Sequence, residues 1–117
     1  MNMDITLLNF LKTPVKVENQ DIMMSDMIRL YTINKDKYKT ELNLQSKKIF
    51  DTTFKGFNYK LEINNELFLE NTVSGITDKW IESSQYILSQ DSSLIMIKLR
   101  MGVLETSEYT TEYTAAG

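Results

Sequence analysis

Neither cysteine nor histidine occurs among the 117 residues. Without thiols there is no disulfide, no thiolate nucleophile and no cysteine-ligated metal. A thiol-free chain tolerates any redox environment, so the lack says nothing of compartment. Without imidazole the chain lacks the commonest general base, the commonest metal ligand and the usual switch near neutral pH. Proline occurs once and glycine four times. Gly56, Gly75, Gly102 and Gly117 are too scattered to cradle a phosphate. No Walker A, dinucleotide-binding, nucleophile-elbow, zinc-protease or EF-hand pattern is present. Glu62, Glu66 and Glu70 alternate with apolar residues and read as the solvated side of a strand, not as an acid pair. The expectation is a protein that is not an enzyme, with no catalytic residue, cofactor or metal.

Long apolar runs are missing too. None approaches the roughly 20 residues of a membrane span. The leading "MNMDITLLNFLK" carries Asp4 and no basic lead-in. A secretory signal is therefore not expected, and the protein is expected to be made in the cytoplasm, with a virion as a further destination. Lys, Asn and Ile are abundant, and Ala, Pro and Gly scarce, as AT-rich coding would produce.

What is present suits one ordinary globular domain, 42% apolar and 25% charged. A chain of this length buries roughly two-thirds of its unfolded surface, enough for a core without metals or disulfides. Seven methionines suggest filler for an irregular core. Leu7, Leu8 and Leu11 share one helical side, with Asp4 as N-cap and Thr13-Pro14 as the stop. Residues 15–17 begin a strand, and 27–33 read as another. Tyr38, Thr40, Leu42 and Leu44 alternate with polar residues, predicting a half-buried strand. Phe57, Tyr59, Leu61 and Ile63 alternate more cleanly, and Asn64-Asn65 followed by "ELFLE" predicts a hairpin. Thr77 caps a helix in which Trp80, Ser84, Ile87 and Leu88 share a side. Ile95, Ile97, Leu99, Met101 and Val103 form one side of a long central strand, with Gly102 marking a bulge or a close backbone approach. The predicted fold class is α+β: a mainly antiparallel sheet of about five or six strands, as sandwich or small barrel, with one or two short flanking helices. The expected layout is a compact domain over 1–105 and a C-terminal arm over 106–117.

Charge is unevenly placed. Seven lysines and three acids lie between Lys35 and Lys60, a balance of +4 in a chain of −3. In the strand reading, Lys35, Lys37 and Lys39 line one side. Interleaved aromatics make nucleic-acid binding through Lys35–Lys60 a second alternative, although arginine, the best phosphate ligand, is scarce. The arm is the reverse, with three glutamates and no basic residue from Glu105 onward. As a strand it sets Tyr109 and Tyr113 on one side and Glu108 and Glu112 on the other. The expected function is a non-enzymatic assembly subunit, whose arm docks on the lysine-lined strand of its own copies or of other assembly proteins. In style it resembles connector, tail-completion, ring or decoration proteins of phage-like particles. The first alternative is a small acidic inhibitor or immunity-type protein bound to a heterologous partner. Nucleic acid is not the expected partner, and no membrane span is expected.

Overall fold

The computed structural model describes residues 2–73, 77 and 79–103, and the arm residues Glu108, Tyr109, Glu112 and Tyr113 lie outside them. The element order is α1 (Met3–Lys12), β1 (Pro14–Val17), β2 (Gln20–Met23), α2 (Met24–Ile33), α3 (Lys35–Thr53), β3 (Tyr59–Ile63), β4 (Glu66–Asn71), β5 (Lys79–Leu88) and β6 (Leu94–Val103). The fold is α+β, with a two-stranded sheet β1-β2 and a four-stranded antiparallel sheet in the order β4-β3-β6-β5.

Local chemistry explains most boundaries. Asn2, not Asp4, caps α1: its Oδ1 accepts from the Asp4 and Ile5 N–H groups at 3.0 and 3.2 Å. Asp4 sits one position inside and accepts instead from the Ser83 hydroxyl, tying α1 to β5. The helix ends where expected, because Thr13 takes the extended backbone that precedes proline. The β1–β2 and β3–β4 hairpins each turn on two residues at positive φ: Glu18 and Asn19 at 52° and 67°, Asn64 and Asn65 at 53° and 65°. Paired positive φ twists a two-residue loop in the sense its strands need.

Three expected elements differ. Residues 27–33 belong to α2, not a strand, because Met24, Met27, Ile28 and Tyr31 are buried at helical spacing. The strand expected over 37–44 is the first part of the 19-residue α3. Tyr38, Leu42, Ser46, Phe50 and Phe54 recur every four residues, and that period outlasts the short alternation. The helix expected from Thr77 is β5, which pairs with β6 without interruption from Lys79↔Val103 to Leu88↔Leu94.

One side of the large sheet carries the core. Tyr59, Leu61, Ile63, Ile95, Ile97, Leu99 and Met101 are buried on it, beneath the helices. Phe50 of α3 is the hub: its ring lies 4.4 Å from Phe10, 5.6 Å from Phe54 and 5.4 Å from Tyr59. The Tyr59 hydroxyl donates to Asp51 Oδ1 at 2.7 Å. Burial first, and then that acceptor, push the Tyr59 phenol above its ordinary value. Four methionines, Met3, Met24, Met27 and Met101, are buried in the same core.

Ser46 breaks the apolar pattern. It is fully buried, and its Oγ has no hydrogen-bond partner. A buried hydroxyl without a partner is a net penalty, and alanine is the better helix former. Ser46→Ala is therefore expected to stabilise the protein by about 1 kcal/mol in denaturant titrations. A loss of stability would contradict this account.

Candidate interaction surface

The other side of the large sheet carries no described element. Its residues follow from the pleat: Lys60 and Glu62 on β3; Leu94, Met96, Lys98 and Arg100 on β6; Trp80, Glu82, Ser84, Tyr86 and Leu88 on β5. The surface divides in two. At one end charges interlock, with Arg100 2.9 Å from Glu82 and 3.5 Å from Glu62, and Lys60 3.6 Å from Glu70. The Lys60 ammonium also lies 4.8 Å from the centre of the Trp80 ring. At the other end Tyr86, Leu88 and Leu94 are 60%, 57% and 60% exposed, beside Met96. Three large apolar side chains next to one another and open to solvent form the kind of patch that marks a contact surface.

The two rims of the sheet are unlike. β4 is six residues long, carries Glu66 and Glu70, and is bulged: Leu61 faces Leu69 while Glu62 faces Leu67, leaving Phe68 as the extra residue. Phe68 turns inward and packs edge-on against Tyr31 at 5.0 Å. Shortness, charge and a bulge are all devices that discourage pairing by another chain. β5 has none of these except its two charges, Lys79 and Glu82, over ten residues. Among the described residues no strand pairs with its outer rim. α1 lies against β5. Asp4 bonds Ser83, so Leu8, four positions on and 38% exposed, lies toward the same rim. At the far end Arg29 Nε donates to the Leu88 carbonyl and fixes the end of β5 to α2.

The three lysines expected to line one strand do not all share a side: Lys37 points away from Lys35 and Lys39. Lys35, Lys37 and Lys39 stand in the first turns of α3, where alternate residues point in roughly opposite directions. Lys37 reaches Glu18 of the β1–β2 turn at 3.2 Å, and Lys35 reaches Glu66 of β4 at 3.9 Å. The strand-shaped, lysine-lined acceptor expected for the arm is therefore absent from this segment. Of the five aromatics interleaved with these lysines, Phe50, Phe54 and Tyr59 are buried, Tyr38 is half-buried and Phe57 is 45% exposed.

Two grooves complete the described surface. One, of about 390 Å³, lies between the β1–β2 turn and α3 and is lined by Lys16, Lys37, Tyr38 and Glu41 among others. The other, of about 530 Å³, lies between the end of α2 and the β5–β6 turn. Asp91 at that turn accepts from the Ser89 and Ser93 hydroxyls and the Ser93 N–H, so its carboxylate is committed to holding the loop. Those donors, Ser89 foremost, lower its pKa to about 2. Because the folded value is depressed, Asp91 stabilises the fold above the ordinary carboxylate range, and that contribution fades as pH falls toward 2. A carboxyl NMR titration should find its midpoint near 2 and a higher midpoint in Ser89→Ala; an ordinary midpoint would refute the arrangement. Among the described residues, no three acidic side chains gather into a metal site, and no helix is long and apolar enough to cross a membrane.

Sequence reasoning missed β5, the element that defines this surface. The available signal was β-rich "WI" and "YIL", followed by polar "SQDSS" and then "LIMIKL": two strand-like runs around a short turn. No protein family matches the chain, and no curated protein or solved structure matches it.

Proposed function

We propose that this protein is a non-enzymatic assembly subunit that joins its partner by strand addition at the outer rim of β5. The observation that carries this reading is the contrast between the rims: β4 is short, bulged and acidic, whereas β5 is long and regular, and among the described residues no strand pairs with its outer rim. Strand addition satisfies a whole row of backbone N–H and C=O groups at once, while flanking side chains supply specificity. Here those flanks are apolar, with Tyr86 and Leu88 on the open side and Leu8 on the helical side. Small size and a thiol-free composition support the narrower setting, a connector, tail-completion, ring or decoration subunit of a phage-like particle. Burial of Phe50, Phe54 and Tyr59 leaves Tyr38 and Phe57 as the rings open to a base, so the nucleic-acid alternative has less support.

The test is native mass by light scattering, with hydrogen exchange read along β5. The full chain is expected to run heavier than its 13.6 kDa, with its β5 amides shielded in the assembled form. A chain that stays at 13.6 kDa at the highest attainable concentration, with β5 exchanging as an open rim, would defeat the proposal.

A further inference from the structure

Resting on that reading, we infer that the strand added to β5 is the β5 of a second copy, antiparallel, with Ser84 on the two-fold axis. The pleat restricts the choice. Directly opposed residues of an antiparallel pair lie on the same side of the sheet. A two-fold axis between two residues would oppose an inward to an outward side chain, so it must pass through a single residue.

Three central residues qualify, and Ser84 opposes two kinds of apolar pair where each alternative opposes at most one. About Ser84, Trp80 meets the partner's Leu88, Ile81 meets the partner's Ile87, Glu82 meets the partner's Tyr86, and Ser83 meets the partner's Gln85. About Ser83, Trp80 would meet the partner's Tyr86, but Ile81 would oppose the partner's Gln85 and Lys79 the partner's Ile87. About Gln85, Glu82 would oppose the partner's Leu88 and Ser83 the partner's Ile87. Opposed apolar pairs stabilise a sheet and polar-apolar mismatches do not. The Ser84 register also opposes no like charges, and it brings Lys79 beside the partner's Ser89, two residues from the carboxylate of the partner's Asp91.

The flanks fit the same axis. A two-fold perpendicular to the sheet keeps both sets of helices on one side, so α1 approaches its counterpart across the joint. Leu8 lies toward this rim, and Ile81 is 37% exposed although it points to the helix-covered side. The joint would cover both. A ten-residue rim is about 34 Å long, and a sheet with one helix layer is roughly 20 Å thick. That gives on the order of 600 Å² per copy, about 1,200 Å² in total, the lower end of stable interfaces. The two sheets would become one sheet of eight strands.

The thiol-free chain makes the register directly testable. Opposed Cα atoms lie about 4.5–5.5 Å apart, within disulfide reach. Ser84→Cys should therefore cross-link to itself under mild oxidation. Tyr86→Cys is the control, since its two copies would lie four positions apart, about 14 Å. The full chain should show twice the mass of 13.6 kDa, Ser84→Cys should form a covalent dimer at least tenfold faster than Tyr86→Cys, and Ser84→Glu should weaken the dimer at least tenfold. Ser84 is exposed, so the variants should keep the monomer fold, which circular dichroism checks. Removing 107–117 should leave the dimer intact. An assembly that cross-links equally well at both positions, or dissociates when 107–117 is removed, would overturn the Ser84 joint while leaving assembly itself standing. A strict monomer would overturn both.

Discussion

Phe50→Ala is expected to destabilise the protein by about 3–5 kcal/mol, the usual cost of emptying a phenylalanine site in a packed core. Phe50 is completely buried and is the ring to which Phe10 of α1, Phe54 at the end of α3 and Tyr59 of β3 all pack. Its removal leaves a void bordered by two helices and the sheet, and stiff rings cannot collapse into it as aliphatic chains do. Small domains have only about 5–15 kcal/mol in total, so the loss is a large fraction of the whole. Melting should fall by about 15 °C at this chain length. Phe57→Ala supplies the control, because Phe57 is 45% exposed and lies outside the ring cluster. Similar losses from both variants would show that Phe50 is not the hub.

Gly102→Val is expected to cost about 2–4 kcal/mol, combining overpacking with lost hydrogen bonds. The reason is space. A Cβ at Gly102 would lie 2.7 Å from both Thr77 Oγ1 and Cγ2 and 3.2 Å from Asn58 Cβ. Thr77 is β-branched and has little freedom to swing aside. Its Oγ1 accepts from Asn58 Nδ2 at 2.6 Å, and Asn58 Oδ1 in turn accepts from the Val73 N–H at 2.7 Å. The Gly102 N–H itself donates to the Asn58 carbonyl at 2.8 Å. A side chain here must break this clamp or push β6 away from β3. Urea unfolding is the measurement. Thr77→Ala in the same chain should recover part of the loss by opening the space, and no recovery would point to a different cause.

The elements legible in the sequence are those whose pattern admits one period. Tyr59, Leu61 and Ile63 alternate strictly and are buried, and Asn64-Asn65 makes the turn between β3 and β4. Ile95, Ile97, Leu99 and Met101 are buried along β6, and Gly102 is the site of close approach. Misread elements carried two periods at once. Trp80, Ser84 and Leu88 are four apart, which fits a helical side and equally one side of a strand. In β5 the decisive factor was pairing with β6, a contact that no local pattern contains. In α3 the alternation from Tyr38 to Leu44 is real but short, and the burial of Leu42, Ser46 and Phe50 follows the helical turn. That one correction also undid the lysine surface, since changing the period moves every side chain. Which rim of the sheet lacks protection depends on strand order, and that order is a property of the assembled fold.

The bulge at Phe68 reaches beyond the packing of one aromatic ring. A sheet with two receptive rims polymerises: each joining event exposes a fresh rim, and nothing sets a final length. Here one rim is bent, short and acidic, so the joining proposed at β5 would consume the growing end instead of copying it. Under the proposed joint the molecule would terminate its own strand addition, and restoring a regular β4 by deleting Phe68 is the change that would turn a closed pair into an open-ended fibre.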